Sequence, residues 1–142
     1  MRIADILRSK GSSVATVSPS ATLAELIGEL ARYNVGALPV VDDGGRLVGI
    51  VSERDVVRQL HQHGPEVLDV AIVEFMTATV TTCSPSDKVA DLARVMTTGR
   101  FRHLPVVVDG SLAGIVSIGD LVKARIDLLE SEREQLQHYI AG

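Results

Sequence analysis

The sequence predicts an α/β fold built from two copies of one small unit, on three observations. Sliding the chain by 66 residues brings Pro19 onto Pro85 and residues 38–41 onto 104–107. Short runs rich in Val and Ile alternate with longer segments whose apolar residues recur at helical spacing. Aromatic residues make up only 3% of the 142 residues, so the core is built from Val, Ile, Leu and Ala, which suits closely packed helix and sheet layers.

The two copies stay in order along the chain. After one deletion near Gly45, residues 49–52 fall on residues 114–117, and Asp55 falls on Asp120. We therefore predict a first repeat with its N-terminal lead-in at residues 1–66 and a second repeat with an extended final helix at residues 67–142. Each is expected to run β-α-β-β-α, and together they are expected to form one pseudo-twofold module.

The elements of a copy follow from local patterns. Residues 15–17 are a short extended piece, and Thr22 with Glu25 forms a capping-box signature before a helix that ends near Asn34 or Gly36. Residues 38–41 and 47–51 are short β-branched runs separated by a Gly-rich turn, which predicts a hairpin.

The joining segment and the chain ends are predicted in the same way. The linker between the copies is expected to contain His61, His63, Gly64 and Pro65. Residues 67–76 are expected to form a short helix that enters the second copy, and residues 3–10 are the equivalent lead-in of the first. Beyond Asp120 an apolar stripe continues past the repeat, which predicts a long final helix that packs on a partner or folds back across the module. The stripe comprises Leu121, Ile126, Leu129, Leu136 and Ile140.

Charge and composition disfavour several partners. The net charge of -4 gives no general basic field for a nucleic-acid backbone or an anionic membrane, and few aromatic rings are present for base stacking. The single cysteine, Cys83, is interpreted as a small buried apolar residue. The first ten residues lack a signal-peptide pattern and no segment has the apolar length of a membrane span, so we expect a cytoplasmic protein.

One motif occurs at the same place in both copies. Residues 52–55 and 117–120 both read Ser-x-x-Asp where a strand meets a helix. A helix start attracts phosphate, and an acid one turn later can accept hydrogen bonds from the two hydroxyls of a ribose. The alternative is a capping box, in which the acid bonds only the amide of the cap residue. The motif alone leaves both alternatives open, and its two equivalent occurrences favour ribose binding only together with the family pattern described next.

These residues carry a resemblance to a known family. The succession of Ser-Pro, a helix, Gly-Ala-Leu-Pro-Val-Val-Asp and Leu-Val-Gly-Ile-Val-Ser-Glu-Arg-Asp resembles the CBS domain, and the tandem is similar to a stand-alone CBS pair, or Bateman module. The resemblance covers nearly the whole chain. It implies two clefts between the repeats that bind AMP, ADP, ATP, NAD(H) or S-adenosylmethionine as regulatory ligands. It also implies a homodimer and a protein effector, whose identity the sequence does not give.

By this resemblance the cleft centred on Asp120 is the better one. Arg102 would supply a guanidinium for phosphate and His103 a donor that changes with pH. The alternatives are a solvated strand edge for Arg102, which would alternate with Phe101 along a strand, and a wall residue for His103. The other residues expected in this cleft are Lys10, Gly11, Val35, Gly36, Ala37, Ser117, Ile118 and Gly119.

The cleft centred on Asp55 is expected to hold fewer cations. Gly36 and Ala37 stand where the other cleft has Arg102 and His103, although Arg54 could substitute. The other residues expected there are Ser52, Met76, Thr77 and Phe101. The pair His61 and His63 is too sparse a pattern to predict a metal site.

The sequence favours a binding protein over an enzyme. It contains no Gly-x-Ser-x-Gly elbow, no phosphate-binding Gly-rich loop that ends in Lys, and no metal-binding His-Glu motif, and Cys83 has no evident base. The alternative function is a ligand-free interaction or dimerisation module that docks through its final helix. The Ser-x-x-Asp motifs in both copies favour the ligand sensor.

Overall fold

The computed structural model describes residues 1–11 and 13–141. In chain order the elements are α1 (Ile3–Lys10), α2 (Leu23–Tyr33), β1 (Ala37–Val41), β2 (Leu47–Ser52), α3 (Glu53–His63), α4 (Val89–Gly99), β3 (His103–Val108), β4 (Ser111–Ser117) and α5 (Ile118–Ala141). Two short 3₁₀ turns, Pro65–Asp69 and Ile72–Glu74, replace the single short helix that was expected between the copies.

Each copy contains one antiparallel hairpin, as predicted. β1 pairs with β2 so that Leu38 faces Val51, and β3 pairs with β4 so that Leu104 faces Val116. Both hairpins carry an irregularity at the equivalent step, after Val40 and after Val106. The expected strand alternation of Phe101 with Arg102 was wrong, because β3 begins only at His103.

The helix boundaries follow from local chemistry. The Thr22 hydroxyl accepts a hydrogen bond from the Glu25 amide at 3.2 Å, which is the hydroxyl half of the predicted capping box. Asn34 ends α2 in the left-handed conformation, with φ of 53°, as its side chain permits. The expected linker at His61 and His63 was wrong, since α3 continues through both residues until Gly64.

The molecule has two apolar cores, and each takes its lead-in from the other half of the sequence. Ile3 and Ile6 of α1 lie in the core of the second copy, with Leu92, Leu104 and Val116 among its members. Val67 and Ile72, in the lead-in of the second copy, lie in the core of the first, with Leu26, Leu38 and Val51. The halves are therefore interlocked, and burial of these side chains holds them together.

Backbone hydrogen bonds between the halves come in reciprocal pairs. The Ile3 amide donates to the Asp87 carbonyl at 2.9 Å, and the Ile72 amide donates to the Ala21 carbonyl at 2.7 Å. At the hairpin turns, Leu47 donates to Gly110 and Leu112 donates to Gly45, each at 3.2 Å. Such reciprocity is what a pseudo-twofold axis between two copies requires. The boundary between residues 66 and 67 stays a prediction about the sequence repeat.

Two further features bear on function. Cys83 is buried, and its thiol lies 3.6 Å from the Pro105 carbonyl. Burial, together with the charge of Asp87, raises the pKa of Cys83 to about 12, so the thiol is unreactive at neutral pH.

Within residues 1–11 and 13–141, no helix combines the length and the apolar character needed to cross a membrane.

Candidate functional site

The two Ser-x-x-Asp motifs occupy equivalent places, each at the junction of a hairpin and a helix. Ser52 ends β2 and pairs across the hairpin with Ala37. Ser117 ends β4 and pairs with His103. The hairpin registers thus place a small apolar residue beside one serine and an imidazole beside the other. This is the first difference between the two sites.

Both aspartates form complete capping boxes. Asp120 Oδ2 accepts from the Ser117 amide at 2.8 Å, and the Asp120 amide donates to Ser117 Oγ at 3.1 Å. Asp55 makes the same bonds with Ser52, at 2.8 and 3.3 Å. In the described part of the chain all hydrogen bonds to these carboxylates go to Oδ2. The capping role therefore uses one oxygen of each carboxylate, and Oδ1 is left for another donor.

Lys10 makes the site at Asp120 different. Its Nζ lies 2.6 Å from Asp120 Oδ2 and donates at 2.8 Å to the Ile115 carbonyl. Lys10 is the last residue of α1, which ends at Gly11 with φ of 95°. Because α1 is anchored in the second core, its last side chain is delivered to the start of α5. The sequence placed Lys10 near this cleft but gave no sign of its ion pair with Asp120.

Electrostatics at this site favour an ionised Asp120 and a neutral His103. Partial burial alone would raise the pKa of Asp120, but hydrogen bonds from Lys10 and Ser117 outweigh it and hold the pKa below its usual value. His103 is half-buried, and burial followed by the positive charge of Lys10 lowers its pKa. The charges of Asp120 and Arg102 also act on this imidazole, so these groups lie close together.

The amides at the start of α5 are partly used already. The Ile118 amide donates to the Arg102 carbonyl at 2.9 Å, and the Asp120 amide is bonded to Ser117. Within the described residues this leaves Gly119 as the first-turn amide available to an anion. Arg102 is exposed, and its carbonyl accepts the hydrogen bond from the Ile118 amide at the start of α5. An anion bound here would meet one amide, the helix dipole and the cationic side chains of Lys10 and Arg102.

The site at Asp55 repeats this backbone pattern with fewer charges. The Glu53 amide donates to the Gly36 carbonyl at 2.9 Å, the counterpart of the bond between Ile118 and Arg102. Among the described residues no ion pair involves Asp55, and Arg54 is exposed at the helix start. The carboxylate of Glu53 lies near Gly36 and adds negative charge. This agrees with the expectation that the cleft at Asp55 is poorer in cations.

The remaining predicted residues lie in different places. Thr77 exchanges backbone hydrogen bonds at 3.0 and 3.1 Å with Ile50, the residue before Val51 in β2. Met76 packs its sulfur over Gly49 of the same strand. Val35 packs against the first core. Phe101 turns back on α4, with its ring over Gly99 and its amide bonded to the Met96 carbonyl at 3.0 Å.

Two cavities border these elements. A small cavity of about 150 Å³ adjoins Lys10 and Asp120 between α1 and α5, and Lys123 and Asp127 also line it. Neither residue was predicted from the sequence, although their spacing of three and seven residues after Asp120 puts them on the same helix face. A larger groove of about 680 Å³ lies between α4 and α5, and Ile118 of the second motif lines one end of it. Within the described residues, no group of three potential metal-ligating side chains is close enough to hold an ion.

The fold and the two sites define a class of protein: a pair of interlocked α/β repeats, each with a capped helix start beside a strand end. The chain belongs to the CBS domain family, whose pattern matches residues 3–62 and 72–127. It is 34% identical over 148 aligned residues to the mitochondrial CBS domain-containing protein CBSX3 of Arabidopsis thaliana, covering 99% of this chain and 72% of the relative.

Solved structures agree with this assignment. The CBS-domain containing protein ATU1752 from Agrobacterium tumefaciens superposes with a TM-score of 0.82 at 41% identity, over 88% of this chain and 99% of that one. CBSX2 in complex with AMP superposes with a TM-score of 0.76 at 29% identity, over 89% of this chain and 97% of that one. The CBS domain pair of protein MJ0100 was solved in complex with 5'-methylthioadenosine and S-adenosyl-L-methionine. It superposes with a TM-score of 0.73 at 28% identity, over 87% of this chain and 94% of that one.

Proposed function

We propose that this chain is a regulatory module that binds an adenosine-containing ligand at the cleft centred on Asp120. The observation that carries the proposal is that the Asp120 carboxylate is ionised and, in the part of the chain that the structure describes, has one oxygen free to accept hydrogen bonds. Asp120 is held ionised, its Oδ2 is occupied by the cap and by Lys10, and Oδ1 accepts no hydrogen bond from the described residues. An acceptor kept in this state suits the hydroxyls of a ribose.

The surrounding groups suit the rest of such a ligand. Gly119 offers an amide at the start of α5, and Lys10 and Arg102 offer positive charge for a phosphate or a carboxylate. Neutral His103 can donate or accept a hydrogen bond. Two relatives of similar structure were solved with AMP and with S-adenosyl-L-methionine, which supports an adenosine ligand here. AMP, ADP, ATP, NAD(H) and S-adenosylmethionine are the candidates.

The proposed module acts by binding and not by turnover. Ligand between the interlocked halves changes their relative tilt, within a homodimer, and an effector protein responds to that change. A ligand shifts such an equilibrium only by its difference in affinity for the two arrangements. Nucleotide recovered after long incubation should be unchanged, whereas product that increases with protein concentration would show an enzyme instead.

A thermal-shift panel with AMP, ADP, ATP, NAD, NADH and S-adenosylmethionine tests the proposal. A ligand at 100 times its Kd stabilises the folded state by about 2.7 kcal/mol, which raises the Tm of a domain of this size by several degrees. Asp120→Asn should remove this response, because the amide keeps an oxygen for the cap while losing the charge and the second acceptor. Asp55→Asn, the matched change in the other copy, should keep it.

The alternative function predicts a different result. If no ligand raises the Tm of the folded chain, the Ser-x-x-Asp motifs act only as helix caps. The chain would then be an interaction module without a ligand. If Asp55→Asn removes the response and Asp120→Asn keeps it, ligand binds the other cleft and the proposal for Asp120 is wrong.

A further inference from the structure

The second half of α5 stands away from the rest of the chain. Every residue from Leu129 to Ala141 is exposed, including Leu136 at 63% and Ile140 at 82%. A helix of about a dozen residues without packing partners is only marginally stable in water. Its apolar side chains therefore need a partner that residues 1–11 and 13–141 of this chain do not supply. We call residues 129–141 the C-terminal arm.

The apolar side chains of α5 form one continuous stripe. Successive members lie four or three residues apart, as in the a and d positions of a coiled coil, and Arg133 is the polar member. Such a stripe favours pairing with another helix. The apolar members are Val122, Ile126, Leu129, Leu136 and Ile140, which are 47–82% exposed.

The groove of about 680 Å³ offers a surface of matching character. It runs between α4 and the first half of α5, next to Met1, and aliphatic side chains such as Ala93, Ile118 and Val122 line it. The arm cannot enter the groove of its own chain, because α5 is one continuous helix from Ile118 to Ala141. A helix that fills this groove must come from another chain.

Charge and length favour a second copy in antiparallel orientation. Directly beside the apolar stripe the first half of α5 carries Lys123 and Arg125 and the arm carries Glu130 and Glu132, whereas Asp120, Asp127 and Glu134 lie farther round the helix. The first half is about 17 Å long and the arm about 20 Å long at 1.5 Å per residue, so their lengths match closely. Antiparallel pairing sets the cations of one copy against the carboxylates of the other. A parallel, in-register pair would instead place Arg133 against the Arg133 of the second copy at a core position.

We propose that the C-terminal arm binds the groove between α4 and α5 of a second copy, reciprocally and antiparallel, with Val122 of each copy opposite Arg133 of the other. The proposal rests on the homodimer in the proposed function and specifies its contact. Leu136 and Ile140 then cover the apolar groove, and Lys123 and Arg125 pair with Glu130 and Glu132.

Sedimentation equilibrium of the full chain tests the contact. The wild type should be a dimer, and Leu136→Glu with Ile140→Glu should raise its Kd at least tenfold, because carboxylates would enter an apolar groove. Ser131→Glu with His138→Glu adds the same charges on the opposite face of the same helix and should leave the Kd unchanged. A monomeric wild type, or equal effects of the two double variants, would overturn the proposal.

Cysteine cross-linking tests the orientation. Val122→Cys and Arg133→Cys chains should each remain uncrosslinked alone under mild oxidation, and their mixture should give a disulfide-linked pair. The native Cys83 does not interfere because its thiol is buried. Self-crosslinking of the Arg133→Cys chain would show a parallel pair and refute the antiparallel arrangement.

The thermal-shift panel on the Leu136→Glu, Ile140→Glu variant separates this proposal from the proposed function. The arm of each chain lies away from its own Asp120, although in the dimer Leu136 of the second copy falls opposite Gly119. A ligand response that persists while the dimer is lost therefore supports both proposals. A dimer that depends on the arm in a chain without any ligand response would refute only the ligand-binding function.

Discussion

At the scale of single residues, Lys10 and His103 distinguish two sites whose backbones are nearly the same. Lys10 bonds Asp120 at 2.6 Å, while in the described chain Asp55 has no ion pair. In the proposed complex the ribose bonds Oδ1 of Asp120 while the Lys10 ammonium stays on Oδ2, where a phosphate can attract it. By that proposal, Lys10 links α1 to the bound ligand.

Lys10→Met is expected to raise the pKa of both Asp120 and His103. Asp120 loses a hydrogen bond to its charged form, and His103 loses a nearby positive charge. NMR titration of the two side chains measures both values. Arg8→Met, on the same helix, is the matched control. If neither pKa moves in Lys10→Met, the ion pair seen here does not persist in solution.

His103 gives the stability of the fold a dependence on pH. The pKa of His103 in the folded chain lies below its ordinary value of 6.5, so the unfolded chain takes up the proton first as pH falls. The stability from neutral His103 is complete above pH 6.5 and is lost as pH falls through the folded pKa. Urea unfolding of His103→Gln should show a smaller loss of stability in this window than the wild type.

The matched control for that experiment is His138→Gln. His138 is exposed near the end of α5, so its replacement should leave the wild-type pH profile unchanged. A His103→Gln profile that coincides with the wild type would contradict the assignment to His103.

At the scale of elements, the two copies end their equivalent helices with different residues. α2 ends at Asn34 and α4 ends at Arg100, both in the left-handed region, with φ of 53° and 58°. Asn accepts this conformation more readily than Arg does, because its short polar side chain can bond locally. The end of α4 is therefore the more strained of the two.

Arg100→Gly should stabilise the fold by about 0.5 kcal/mol, since glycine adopts a positive φ without steric cost. Arg94→Gly, at an exposed position inside α4, should destabilise it by about 1 kcal/mol because glycine is a poor helix former. The urea midpoints of the two variants should move in opposite directions. A loss of stability in Arg100→Gly would show that the Arg100 side chain contributes more than its backbone costs.

At the scale of the whole molecule, the exchange of lead-ins joins the two cores. Ile3 is fully buried in the second core although it begins the first copy in sequence. Ile72, from the lead-in of the second copy, is likewise fully buried in the first core. Removal of either side chain should weaken a core on the far side of the sequence.

Ile3→Ala should therefore destabilise the fold by about 2–5 kcal/mol, as expected for truncation of a buried aliphatic side chain. Ile27→Ala makes the same change at a position that is 36% exposed and should cost much less. Urea unfolding followed by amide exchange in β3 and β4 would locate the effect. If Ile3→Ala costs no more than Ile27→Ala, α1 does not anchor the second core.

Much of the fold follows from local and repeated patterns. The hairpins follow from β-branched runs around a Gly-rich turn, and α2 follows from the cap at Thr22 and the apolar spacing after it. The errors were local too. His61 and His63 were predicted as a linker because polar residues before Gly and Pro resemble a loop. In the structure α3 begins at the Ser52 capping box and continues through His63, and the Gly64 amide bonds the Leu60 carbonyl.

The sequence by itself determined the repeat, the order of elements and the Ser-x-x-Asp motifs, because these depend on residues close together in the chain. The tertiary structure decided which copy each lead-in packs against and brought Lys10 to Asp120, 110 positions away. It also left the C-terminal arm without a packing partner among the described residues of its own chain. These outcomes depend on where separate elements pack, and the burial of apolar surface that drives such packing is not specified by local spacing.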